Sequence, residues 1–270
     1  MRKLFLSLVI FCVTLMAKAD EGMWLLKELN SQSIARMQEL GFTMPVEKLY
    51  SDDNPSLKDA VVIFGGGCTG VAVSEQGLIF TNPHCGFGAI QKLSAVEHDY
   101  LKDGFVANNI NDELYSDGLT VSFLRSMEDV TERILPNIPP VLSEIQIELA
   151  IDSISEELIK EYEKDPFTNA RVVPFFSRNK YYVVLYDVFR DVRLAATPPQ
   201  SVGKFGGDTD NWMWPRHTGD FSVFRVYADK DNNPTNYSED NIPYKPKYVV
   251  PVSLAGVKEG DYSMTVGYPG

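Results

Sequence analysis

Apolar and polar positions alternate most clearly in two short stretches of the chain. In the first, Val71 and Val73 precede Ser74-Glu75-Gln76-Gly77, and Leu78-Ile79-Phe80 follow it. A glycine closing three polar residues supplies the positive φ that tight turns require, so Thr69 to Phe80 predicts a β-hairpin. In the second, a carboxylate at Asp220 opens a run with Phe221, Val223, Arg225 and Tyr227 on one face, the period of a strand. Between these two lies a different pattern. Leu142, Ile145, Leu149, Ile154, Leu158 and Tyr162 recur mostly three to five apart among acidic residues, stopping at Asp165-Pro166, and predict an amphipathic helix over Leu142 to Lys164. Ser31 to Leu40 predicts a shorter helix. Tyr181 to Leu194, rich in Val, Tyr and Phe, reads as a strand or a helix–strand junction. Pro198-Pro199 and the glycines from Gly203 to Gly207 predict a loop.

The N-terminus carries a different kind of apolar run. Arg2 and Lys3 precede Leu4 to Met16, which is short for a bilayer span, and Ala17-Lys18-Ala19 is a small-x-small cleavage site. Residues 1–19 are therefore expected to be a signal peptide, with export to the periplasm, cell surface or medium and no membrane span after cleavage. The whole sequence has a formal net charge of −12, and loss of Arg2, Lys3 and Lys18 leaves the mature part more acidic still. Such a chain has no electrostatic footprint for nucleic acid.

Export changes the reading of the cysteines. Cys12 leaves with the leader, and Cys68 and Cys85 remain as an even pair in an oxidising compartment. A disulfide between them closes a short loop worth roughly 3 kcal/mol by chain entropy, and the hairpin brings their neighbourhoods together. Two alternatives compete with it. A two-cysteine metal site lacks two further ligands at sensible spacing, so no metal or cofactor is expected. A catalytic Cys85 thiol would need His84 as base, and neighbours in a strand point to opposite faces.

Three histidines are present. His98, among Glu97, Asp99 and Tyr100, reads as part of a solvated helix with no role. His217 lies in a turn-rich segment and is a weak rival base. His84 follows the hairpin in Thr81-Asn82-Pro83-His84-Cys85-Gly86, at a strand end pinned by the expected disulfide, and is the candidate base. A base of this kind needs an acceptor on its other ring nitrogen, and Asp220 at the head of its strand is the candidate. Asp208 and Asp210 are rivals in a glycine-rich turn, where aspartate is common for local reasons. No glycine-framed serine of the G-D-S-G-G or G-x-S-x-G kind is present.

The hairpin, the histidine segment and the aspartate strand resemble the first barrel of trypsin-like serine proteases. Asp20-Glu21-Gly22-Met23-Trp24, Thr81 to Gly86 and above all Gly206 to Ser222 resemble a more specific group, the bacterial dipeptidyl-peptidases that include dipeptidyl-peptidases 7 and 11. The sequence departs from that family at Pro83, where a second histidine is common. The resemblance implies a mainly β, chymotrypsin-like double β-barrel with some helices, in which residues 20–250 form the first barrel with its N-terminal extension and helix. Residues 251–270 would then be the first strands of a second barrel, with the nucleophilic serine and a large helical insertion expected beyond Gly270. It further implies release of dipeptides from peptides with free N-termini, His84 as base, Asp220 as its orienter, and Asn211 and Trp212 as ligands of the substrate's ammonium. A homodimer is possible on the same ground, and the 270 residues alone are expected to be inactive. An endopeptidase of the HtrA type and a non-catalytic pseudoprotease that binds peptides are the alternatives.

Overall fold

The computed structural model describes residues 23–139, 141–207 and 217–269. The expected signal peptide lies outside them, as do Asn211, Trp212, Asp208 and Asp210. Two compact units are present, residues 1–42 and 43–270. In the described part of the first, a single helical turn at Leu26–Glu28 is followed by the helix Ser31–Glu39. The Asn30 side chain accepts from the Ser33 N–H at 2.9 Å and fixes where that helix begins.

In the second unit the described residues form eleven strands in one antiparallel sheet: β1 Val61–Phe64, β2 Cys68–Ala72, β3 Leu78–Thr81, β4 Phe105–Val106, β5 Leu114–Tyr115, β6 Val121–Asp129, β7 Thr168–Phe175, β8 Lys180–Phe189, β9 Asp191–Thr197, β10 Ser222–Ala228 and β11 Ile242–Pro243. The path runs β4-β9-β10-β3-β2-β1-β6-β8-β7, with β5 pairing β9 and β11 pairing β10. Strands β8 and β9 stand far apart in that order, yet only Arg190 separates them in the chain. The sheet must therefore roll up until its two ends meet. Its interior confirms the closure: Val62 and Phe64, Ile79, Phe123, Phe189, Leu194, Phe224 and Val226 share one buried cluster. Tyr244 plugs the seam, with ring centroids 4.3 Å from Phe189 and 5.0 Å from Phe123.

The Thr69–Phe80 expectation is met by the β2–β3 hairpin, with Val71 opposite Phe80 and Ala72 opposite Ile79. Gly77 takes φ +70, and a Cβ there would fall 2.7 Å from the Val226 carbonyl oxygen. Tyr181 to Leu194, ambiguous in the sequence, proves to be most of two strands. Both are paired with neighbours on either edge, and the unbroken apolar stretch from Tyr181 to Tyr186 is buried at every position.

The predicted amphipathic helix spans Glu144–Tyr162. Its start is set by a capping box, in which Ser143 and Gln146 satisfy each other's backbone N–H groups. The buried face differs from the expected one. Leu158 is buried and Ile151, Ile154, Ile159 and Tyr162 pack with it against Val130, Ile134, Tyr181, Val183 and Leu185, whereas Ile145 and Leu149 are exposed. The helix reaches the sheet only through its C-terminal half, where the extended β7–β8 hairpin rises to meet it, so the apolar residues of the first turns have nothing to cover.

Residues 251–269, read in the sequence as strands, contain no strand. Among the described residues its backbone joins no strand ladder. The segment is instead tied to β2, where the Tyr268 N–H donates to Thr69 Oγ1 at 2.8 Å.

Candidate active site

Strand β3 ends at Thr81, and the chain turns directly into a helix over Pro83–Leu93. Asn82, still extended at φ −75 and ψ 152, is the N-cap, and Pro83 takes the first helical position, where its missing N–H leaves no bond unmade. The departure at Pro83 thus suits the local backbone. His84 and Cys85 stand in the first turn of this helix, not at the end of a strand as the sequence suggested. Residues adjacent in a helix are only about 100° apart around its axis. Imidazole and sulfur are accordingly close, with one ligand atom of His84 and the sulfurs of Cys68 and Cys85 all within 4.8 Å of one another. The opposite-face argument against a Cys85 nucleophile therefore fails. The thiol is excluded for another reason: Cys68 and Cys85 form a disulfide with Cα atoms 6.0 Å apart.

Three further devices fix this helix on the barrel. Gly86 lies against β10 so closely that a Cβ would fall 2.7 Å from Ser222 Oγ and 2.9 Å from Phe224 Cε2. The buried Ser222 hydroxyl donates to the Asn82 carbonyl at 3.1 Å. The Thr81 hydroxyl donates to the Thr69 carbonyl at 2.9 Å and joins the strands just before the turn. Sequence reasoning assigned none of these residues a positioning role.

The register of β3 against β10 then locates the carboxylate. Phe80 pairs with Val223 and Thr81 with Ser222, so the ladder ends with Asp220 two residues before Ser222 on one strand and His84 three residues after Thr81 on the other. The Asn82 amide, which does not cap the helix, instead donates to the Asp220 carbonyl at 3.4 Å. His84 and Asp220 are thereby brought to one end of one strand pair. Among the described residues no hydrogen bond joins their side chains. His84 is exposed and Asp220 half-buried.

Asp220 itself precedes β10, which begins at Ser222, and every residue of that strand is buried. The expected face of Arg225 and Tyr227 is real: Arg225 Nε bonds Glu113 Oε1 at 2.8 Å, and the Tyr227 hydroxyl donates to Glu113 Oε2 at 2.7 Å. Burial, then the Glu113 bond, raises the Tyr227 hydroxyl pKa above the usual phenol range. Phe221 stays exposed and lines an open hollow of about 290 Å³ with Gly104, Phe105, Thr197 and Pro198.

The loop expected between Pro198 and Gly207 contains a helical turn at Gln200–Gly203. It lies next to the candidate base, since a Cβ on Gly203 would come 3.6 Å from Pro83 Cγ. Gly219 donates to the Val202 carbonyl at 3.0 Å and the Thr218 hydroxyl to the Phe205 carbonyl at 3.3 Å. Both flanks of residues 208–216 are thus tied together near the start of the His84 helix.

The other two histidines have no comparable setting. His98 belongs to a tight turn bridged to Ala95, not to a helix, because Asp99 caps a helix that starts only at Tyr100. His217 is exposed, its ring edge-on to Phe205 at 6.3 Å.

The chain is similar to known proteins along its whole length. A dipeptidyl-peptidase 7 of Porphyromonas endodontalis is 56% identical over 271 residues, covering 100% of this chain and 33% of the relative. An Asp/Glu-specific dipeptidyl-peptidase of the same organism is 48% identical over 270 residues, covering 98% of this chain and 37% of the relative. The chain thus spans about a third of the length of these relatives. A crystal structure of Porphyromonas endodontalis DPP11 in complex with substrate superposes with a TM-score of 0.82 at 48% identity, over 90% of this chain and 36% of that one. The rolled antiparallel sheet with its helices is accordingly of the chymotrypsin-like class. The peptidase S46 family model matches residues 19–270, a span that includes the disulfide, the His84 helix and the Asp220 strand, and the chain belongs to that family.

Proposed function

We propose that this chain supplies the base and the orienting carboxylate of an exported serine-type dipeptidyl-peptidase. His84 accepts the proton of a serine contributed from outside these residues and passes it to the leaving amine. Asp220 holds the imidazole in the required tautomer and stabilises the imidazolium. One observation supports this reading: the β3–β10 ladder ends at Thr81 and Ser222 with the Asn82 amide on the Asp220 carbonyl, so that among the described residues a carboxylate follows the same strand end as the turn that carries His84. The disulfide, Gly86 and Ser222 hold the turn in place, which is what a base required to meet a nucleophile within hydrogen-bond reach needs.

Dipeptide release requires a site that stops the substrate chain two residues before the scissile bond. Asn211 and Trp212 are assigned that work, through an amide oxygen and an aromatic face offered to the free ammonium. The described residues on either side of 208–216 are tied together at Phe205–Thr218 and Val202–Gly219, beside Pro83, which supports an ammonium site near the base. The substrates are peptides with free N-termini. Paired peptides, one free and one N-acetylated, test the reading in the whole enzyme. Cleavage of the free peptide alone is expected, and equal cleavage of both would point to an endopeptidase.

A further inference from the structure

The turn that mounts His84 also collects a set of metal-binding atoms. The sulfurs of Cys68 and Cys85 and one imidazole nitrogen of His84 lie within 4.8 Å of one another. While the sulfurs are joined as a disulfide they are not ligands. A dithiol or phosphine reductant changes their chemistry. Two electrons and two protons enter the S–S bond, the reductant is oxidised, and two thiols are left beside the imidazole.

Zinc binds thiolate sulfur at about 2.3 Å and imidazole nitrogen at about 2.0–2.1 Å in tetrahedral geometry, which requires ligand atoms roughly 3.5–4 Å apart. The three atoms already sit within a slightly larger envelope, and the released sulfurs have only to move apart from bonding distance. Cys85 is the third residue of an eleven-residue helix, so its backbone is held by that helix independently of the disulfide. Cys68 opens β2 opposite Phe64, so its backbone is held by the barrel independently of the disulfide. Both cysteines are half-buried and His84 is exposed, which leaves a side open for the water that completes a three-ligand site.

We propose that the reduced chain holds a thiophilic divalent cation of the zinc type on Cys68, Cys85 and His84, each thiol releasing its proton to solvent as its sulfur binds. The disulfide then does more than staple a hairpin to a helix. It keeps the imidazole out of a metal's coordination shell. Metal binding as such does not depend on the proteolytic reading, but its consequence for turnover rests on His84 being the base.

The test loads zinc onto the whole protein, oxidised or phosphine-reduced, and measures retained metal after desalting by mass spectrometry, with cobalt as a spectroscopic substitute that reports thiolate ligation. Stoichiometric zinc and a thiolate-to-cobalt absorption band are expected for the reduced protein only. Cys85→Ser should abolish both. His84→Ala should weaken zinc binding by at least about tenfold, the lower end of what losing even an outer-shell partner costs. Zinc retention by the oxidised protein, none by the reduced protein, or equal affinity in His84→Ala would each overturn the proposal. So would loss of near-ultraviolet circular dichroism on reduction, because the site requires the folded hairpin and helix. Peptidase activity separates the two readings. Zinc that binds the reduced enzyme without slowing it contradicts His84 as base while the site stands, and activity indifferent to zinc because none is bound contradicts the site alone.

Discussion

The two ends of strand β10 hold opposite kinds of polar chemistry. Toward Tyr227, Glu113 is buried, ion-paired to Arg225 and hydrogen-bonded to Tyr227, while Arg225 also donates to the Gln76 carbonyl at 2.7 Å. Nearby Arg193 grips Asp191 with two bonds at 2.9 and 2.8 Å and stacks its guanidinium 3.7 Å from the Tyr227 ring centre. Nearly every donor and acceptor there is spoken for. Toward Ser222, by contrast, backbone and hydroxyl groups are bonded, but the His84 imidazole makes no hydrogen bond among the described residues and faces solvent. The satisfied end locks the strand, whereas the other end leaves the His84 side chain open to solvent.

The sharpest way to break this contrast is to remove each end's key group. In the whole enzyme, His84→Ala should lower kcat by about 10⁴-fold or more, while thermal unfolding moves by no more than about 0.5 kcal/mol, as for an exposed side chain. Near-normal kcat would show that the open end is not catalytic. Glu113→Gln should do the reverse. Leaving Arg225 buried without its anion costs about 3–5 kcal/mol, read from denaturant unfolding, with kcat per folded molecule unchanged. A large fall in kcat at full folding would show that the locked end takes part in turnover.

Between these extremes lies Gly86→Ala. Its methyl group meets Ser222 Oγ and the Phe224 ring, and the overpacking should cost about 1–3 kcal/mol together with a measurable loss of kcat as the His84 turn is pushed off the strand. Unaltered stability and kcat would show that the close approach does not position the base.

The smallest effect is expected far from both ends. Burial, and then the bond to Glu128 at 2.7 Å, push the Tyr162 hydroxyl from 10.0 up to about 12. The folded state therefore favours the neutral phenol. The stability this contributes is fully present below pH 10 and is lost as the pH rises through about 12. Tyr162→Phe should flatten that part of the alkaline stability profile, and an unchanged slope would deny the coupling.

Single elements with a local signature were more legible in the sequence than the other strands of the barrel. The β2–β3 hairpin, the disulfide and the Glu144–Tyr162 helix each have a local signature, in a glycine turn, an even cysteine count and a spaced apolar series. Strands β1, β6 and β7 lack one. Val61–Phe64 is buried at every position and shows no alternation, because both of its faces are covered. The helical placement of His84 was hidden for a related reason. Thr81-Asn82-Pro83 reads equally well as a strand end or as a helix start, and only packing against Ser222 and Phe224 decides which. The exposure of Ile145 and Leu149 could not be read at all, since a periodic apolar face does not disclose how much of it a partner will cover.

The pairing of His84 with Asp220 is tested most directly by a double-substitution cycle on kcat/KM in the whole enzyme, with His84→Ala, Asp220→Asn and the two combined. Asp220→Asn alone should lose roughly 10⁴-fold, and the double variant should be no slower than His84→Ala, because an orienter has nothing to act on once the base is gone. Losses that multiply in the double variant would contradict a shared base–carboxylate unit.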